Sequence, residues 1–495
     1  MLTIAHFTTP ANLDVHQAGT AGILFAVGPA YSGVLQFDPN RNTEIVADLA
    51  ERWDVSPDAK KFTFYLRKGV TWHDGTPFTS ADVRFSFERI QKPPAGMVSP
   101  RRSLLENVEK IETPDAGTVV FTLKQPQASF MPTIASGYMT VLPKHVLETK
   151  GDMKQDIVGT GPFKLKRYQN NVSLEMVKND KYFIKDRPYL DGIAFYIISD
   201  WNTRFAALKA KRVLMTNPSA IGLTTDMRQI LEREMPDKIT TWVHPSLSFV
   251  YLVMNMQTKP FDDVRVRKAV NLAMDRDEAI NSLVSGAGTR GFMVPRGTPW
   301  AYPDDQLARA PGYGDKSKEI PDAKKLLADA GYPNGFETTV MGRAGPLFAP
   351  RAVFVADQLK KIGIKATVDI RQDAEFYDRL NKGAAPLVSQ ADAELFADPD
   401  VYLLQYFYSK GSKNFSFLKD AAVDAALDKQ SAALDPALRV QVAKDVQARL
   451  LNELFPIAFL VEQVGQMGAW KDVRNYVPPV GVANHLQFRD VWLAQ

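Results

Sequence analysis

The residues of this 495-residue chain that could hold a metal or move a proton are its six histidines, His6, His16, His73, His145, His244 and His485. They are scattered, and none forms His-x-x-x-His or His-Glu-x-x-His, the spacings that put two imidazoles on one helix face. Zinc hydrolysis is therefore not expected. Gly286-Ala287-Gly288-Thr289-Arg290-Gly291 satisfies a GxGxxG pattern, yet it follows a helical pattern and opens none, so a pyrophosphate would find no helix N-terminus there. No Gly-x-Ser-x-Gly elbow and no Walker A sequence occurs, and the neighbours Asp262 and Asp263 read as helix-start residues rather than an acid/base pair. Cysteine is absent, which removes thiolate ligands, disulfides and a lipid-bearing anchor. The chemistry left is that of holding a molecule: no catalytic residue, metal or cofactor is called for.

The elements that would position such a site are legible in places. Phe62, Phe64 and Leu66 alternate with polar neighbours as in a half-buried strand, and Asp74-Gly75 supplies a turn. Thr79 or Ser80 then caps a helix whose apolar stripe is Val83, Phe87 and Ile90. Strand-like alternation recurs at Val119-Phe121-Leu123, Val172-Leu174-Met176 and Phe249-Tyr251-Val253, with an apolar run from Ile193 to Ile198. Asp262 and Asp263 open a helix carrying Val266, Val270, Ala273 and Ile280. Helices over 323–330 and 351–362 alternate with strands over 336–341 and 364–370, the succession of an α/β lobe with a largely parallel sheet. Two more helices are expected over 421–433 and 436–454, the second capped by Asp435 with Pro436 at its first position.

Single hydrophobic cores stop growing at about 250–300 residues, so a chain of 495 residues should form two or more lobes. Sixty basic against 56 acidic residues give a formal charge of +4 without a basic block, too small a bias for nucleic acid. No apolar run is long enough to span a membrane, since Gly19, Gly22, Gly28, Pro29 and Gly33 interrupt the nearest approach. Met1-Leu2-Thr3-Ile4-Ala5 starts in a strand-like run without a basic leader, which reads as a mature form lacking a signal peptide.

The stretch Leu66 to Val83, LRKGVTWHDGTPFTSADV, resembles a signature of the extracytoplasmic solute-binding proteins of ABC importers, peptide/nickel class (family 5). Leu13-Asp14-Val15-His16, Leu49-Ala50-Glu51-Arg52-Trp53, Val158-Gly159-Thr160-Gly161-Pro162-Phe163, Pro188-Tyr189-Leu190-Asp191-Gly192, the segment from Asn255 through Pro260-Phe261-Asp262-Asp263 to Ala269, and Asp398-Pro399-Asp400 resemble that family in order.

The resemblance implies an α/β fold of two lobes with an interlobe cleft, a hinge and an extra inserted subdomain. Lobe one would comprise residues 1–38, 163–254 and 465–495, the inserted smaller domain 39–162, and lobe two 255–464. It implies a periplasmic receptor, monomeric and free of nucleic acid, that closes on a peptide or peptide-sized solute and delivers it to an inner-membrane ABC permease. A non-peptide ligand such as an oligosaccharide, an opine-like conjugate or an organic anion is the alternative, and a two-lobed hydrolase the remote one.

In peptide-binding members an acid three positions before the first aspartate of Asp-Pro-Asp pairs with the ligand's amine, and a tryptophan lies three before that. Here Leu395 stands at the first place and Asp392 at the second, with Glu394 one residue away. A buried ammonium without a counter-charge is strongly disfavoured, so standard recognition of a peptide N-terminus is expected to be weakened unless Glu394 or Asp392 substitutes. The other ligand-binding candidates are Arg343 as a clamp for a carboxylate or phosphate, Trp242, His244 and Tyr138 as stacking groups, and His16 in the segment resembling the family's N-terminal motif.

Overall fold

Phe62, Phe64 and Leu66 point inward from the strand Lys61–Leu66 while Lys61 faces solvent, and Phe121 continues this core from the strand Thr118–Leu123. The computed structural model describes residues 1–10, 12–17, 21–41, 44–217, 222–345, 348–481 and 487–494; His485 lies outside them. Those two strands sit centrally in a four-stranded antiparallel sheet ordered Ala50–Val55, Lys61–Leu66, Thr118–Leu123, Val108–Asp115. The Asp74-Gly75 turn closes through the Gly75 N–H donating to the Trp72 carbonyl at 2.8 Å, with Gly75 at φ 92°, a conformation costly for any residue with a Cβ. The Asp82 carboxylate accepts from the Thr79 N–H at 2.9 Å and fixes the start of the helix Ser80–Gln91. Phe87 of that helix meets Phe121 edge-on at 5.0 Å, and each such buried ring contributes about 1.5–3 kcal/mol.

The described chain divides into two compact units, Met1–Ser246 with Gly465–Gln495, and Leu247–Val464. The chain leaves the first unit within the strand Ile239–Met254 and returns within Ile457–Trp470. In the first unit, Leu2–His6 pairs in parallel with Gly192–Ile197 and Met215–Thr216, and Ser173–Lys178 and Phe163–Gln169 follow antiparallel beyond Gly192–Ile197. In the second, Glu337–Arg343 is flanked by two parallel neighbours, Lys365–Arg371 and Leu387–Ala393, and the latter pairs antiparallel with residues 248–254. Helix Ala349–Lys360 makes the crossover between the parallel strands, burying Ala352, Val355 and Leu359 in the core of that unit. No described helix is long and apolar enough to cross a membrane.

One expected helix is two. The stripe from Val266 to Ile280 is interrupted at Met274, giving helices Val264–Ala273 and Arg276–Val284. Asp275 is the cause: its carboxylate accepts from the Asp277 and Glu278 N–H groups at 3.1 and 3.0 Å, so it starts a new helix. The helix expected over 323–330 begins earlier, at Lys316, where Asp315 caps it through the Ser317 N–H.

Candidate functional site

In the second unit Phe249 stands opposite Asp392 and Tyr251 opposite Gln390 across an antiparallel pair, which puts all four on one face of the sheet. Asp392 Oδ2 accepts from the Tyr251 hydroxyl at 2.7 Å and from the Tyr406 hydroxyl at 2.9 Å. The same Tyr406 hydroxyl lies 2.6 Å from Glu394 Oε1, so its single O–H is shared between the two carboxylates, and Lys413 Nζ donates to that Oε1 at 2.5 Å. The Phe249 ring packs against Tyr251, Tyr402 and Tyr406 and stacks on Phe459 at 5.7 Å. Tyr402 and Tyr406 arrive together because the segment Asp400–Leu404 winds as a π-turn running directly into Gln405–Phe407. Burial holds the Glu394 carboxyl above the ordinary carboxylate range, with Lys413 opposing that rise and Asp392 adding to it. The same burial, with these carboxylates close by, pushes the Tyr251, Tyr402 and Tyr406 hydroxyls far up, so they stay neutral donors. What converges is an aromatic wall, two carboxylates and one ammonium, a set suited to hydrogen-bonding and stacking.

The sequence candidates thus fall in separate places. Asp392 and Glu394 share this cluster, while Leu395 is half-buried beside them. Arg343, at the end of its strand, is clamped by Asp373 through two contacts of 2.6 and 2.7 Å and lies over the Phe348 ring at 4.2 Å. The others belong to the first unit. His16 is fully buried, its Nε2 2.8 Å from the Thr140 carbonyl, and burial lowers its pKa to about 4. Beside it the Asp14 carboxylate accepts two bonds from the buried Arg89 guanidinium, at 2.6 and 3.1 Å. Tyr138 is buried under the Arg101 guanidinium at 4.0 Å. Trp242 meets Tyr476 edge-on at 6.0 Å, and His244, buried, has its Nδ1 3.0 Å from the Pro245 carbonyl.

The Asp398-Pro399-Asp400 motif is internal scaffolding. Asp398 forms a buried two-point pair with Arg439 at 2.7 and 3.0 Å, and Asp400 is held by Gln430 and Ser431. No group of three or more metal-ligating side chains occurs among the described residues.

Residues 44–414 match the model of the bacterial extracellular solute-binding proteins, family 5. The chain belongs to that family. This solute-binding protein is 28% identical over 488 residues to the dipeptide-binding protein of Escherichia coli K12, covering 92% of this chain and 87% of the relative. It is 28% identical over 484 residues to heme-binding protein A of Haemophilus influenzae, covering 90% and 84%. Among solved structures, AgaA of A. tumefaciens R10 in complex with agropinic acid is similar at TM-score 0.79 and 29% identity, covering 100% of this chain and 99% of that one. The fold is the two-lobed α/β architecture of periplasmic binding proteins.

Tyr251, Tyr406 and Lys413 were not singled out by sequence. Tyr251 sits in an alternation that reads as core, and Lys413 in a polar loop, Tyr408-Ser409-Lys410-Gly411-Ser412-Lys413-Asn414, whose composition carries no site signal.

Proposed function

We propose that this solute-binding protein is the extracytoplasmic receptor of an ABC importer, capturing a peptide or peptide-sized organic solute and handing it to an inner-membrane permease, and that it works as a periplasmic monomer. The observation that carries the reading is the family match over residues 44–414, together with relatives that are named as dipeptide-, di/tripeptide- and glutathione-binding proteins and cover most of the chain. The carboxylate and tyrosine cluster around Asp392 supports a polar solute oriented by hydrogen bonds. We assign the layout of three segments in lobe one, an inserted domain over 39–162 and lobe two over 255–464 as part of the same reading. His16, Tyr138, Trp242, His244, Arg343, Asp392, Glu394 and Leu395 remain its ligand-site candidates, Asp392 being the one best supplied with neighbouring donors.

A second reading, the same receptor with a non-peptide ligand, is favoured by one specific feature. Glu394, the nearest acid to the Leu395 position, is already engaged by Lys413, so a peptide amine would have to displace a cation of the chain's own. Relatives named for heme and for agropinic acid are compatible with that reading.

A thermal-shift panel of Ala-Ala, Ala-Ala-Ala, glutathione, hemin, maltotriose and agropinic acid separates the two. A ligand at 100 times its dissociation constant adds about 2.7 kcal/mol of stability. Upward shifts from the peptides support peptide capture; shifts from the others alone move the assignment to a non-peptide solute.

A further inference from the structure

Arg351 is the third residue of the helix Ala349–Lys360, only 7% exposed, and neither its Nε nor its Nη1 has a hydrogen-bond partner among the described residues. A guanidinium taken out of water is ordinarily paired, because burying an uncompensated charge is strongly disfavoured. Here the charge that bears on it is another cation, Arg343, and among the described residues no carboxylate opposes the two effects of burial and like charge that lower Arg351 to about 10. Both guanidinium groups face one ring, Arg343 at 4.2 Å and Arg351 at 5.1 Å from the centre of Phe348. Asp373, the acid nearest Arg343, is consumed in a two-point clamp on Arg343. Arg351 also stands at the wrong end of its helix for a cation: the first turn carries the positive end of the dipole, and Phe348 offers no side-chain cap there.

The position has its own meaning. Arg343 ends a strand flanked by two parallel strands, and Arg351 opens the helix that follows, so both lie at the carboxyl end of a parallel sheet, where open α/β sheets place their ligands.

We infer that Arg351 is the docking point for an anionic group of the captured solute, a carboxylate or a phosphate-type oxyanion. The inference rests on the receptor reading and narrows its solute to one bearing such a group. An oxyanion can accept from an idle N–H of the guanidinium, at Nε or at Nη1, and at once removes the burial and like-charge penalties that the solute-free chain carries.

The test uses the full chain, with succinate and inorganic phosphate as probes and chloride at equal ionic strength as reference. In the wild type one or both oxyanions at millimolar concentration raise Tm by about 2–4 °C, a response to succinate marking a carboxylate site and one to phosphate alone a phosphate site. In Arg351→Met the response disappears, while the variant in chloride is at least as stable as wild type, because an unpaired buried charge has been removed. A merely structural arginine would give the opposite pattern, a less stable variant that keeps whatever response the wild type has. The inference is overturned by that pattern, by a wild type indifferent to both oxyanions, or by a tightly held solute with no anionic group. That last result leaves the receptor reading intact, whereas failure to capture any solute strikes the receptor reading itself.

Discussion

The ammonium of Lys413 stands 2.5 Å from Oε1 of Glu394, so the acid next to Leu395, the position at which the family resemblance implies an amine partner, is already answered from within the chain. Glu394 is 3% exposed at its side chain and Lys413 28%, which makes this a largely desolvated pair with one end in reach of water.

Removing the cation should therefore be felt twice. Lys413→Met leaves Glu394 buried with only tyrosine donors and is expected to lower stability at neutral pH by about 1–3 kcal/mol, less than for a fully buried pair because Lys413 is partly solvated. The double variant Lys413→Met, Glu394→Gln should recover most of that loss in urea unfolding. Equal losses in the single and double variants would show that the pair does not couple.

The Asp398–Arg439 pair is a harsher case, with side chains 3% and 8% exposed and two contacts of 2.7 and 3.0 Å. Asp398→Ala strands a guanidinium among Gln430 and Trp300 and should cost about 3–5 kcal/mol. Urea unfolding with an unchanged m-value checks it; a loss under 1 kcal/mol, about the size of an exposed pair, would mean the motif is not internal scaffolding.

Glu462 gives a pH prediction. Its Oε1 accepts from the Arg296 N–H at 3.0 Å, its Oε2 is buried without a partner among the described residues, and burial raises its pKa from 4.5 to about 7. The folded state thus holds a proton that the unfolded chain has released between pH 4.5 and about 7, so this group's contribution falls as pH rises through that window and is flat above it. Glu462→Gln removes the titration. It should be more stable than wild type by about 3 kcal/mol at pH 8, with the gap closing near pH 4. A gap independent of pH would contradict the assignment.

Local pattern carried much of the fold. The alternation at Phe62, Phe64 and Leu66 and the helix and strand succession expected from 323 to 370 correspond to elements because each buries one face. The helix break at Met274 was hidden because Val266 to Ile280 keeps an unbroken apolar stripe, and only the Asp275 cap ends it. The site was legible only in part. Asp392 and Glu394 were reachable by counting back from Asp398, but Tyr251 donates to Asp392 from 141 positions away, a pairing set by sheet register that no local period encodes. Arg351 reads in sequence as an ordinary first-turn residue; only the absence of a partner among the described residues marks it.

The central claim is capture of an unaltered solute, and the most direct measurement is native mass spectrometry of the purified chain after exposure to the peptide and organic-acid panel, followed by release of the ligand under denaturing conditions. One solute per chain is expected, recovered at its original mass and in stoichiometric amount. Recovery of a chemically changed product, or amounts exceeding one per chain that grow with time, would contradict it.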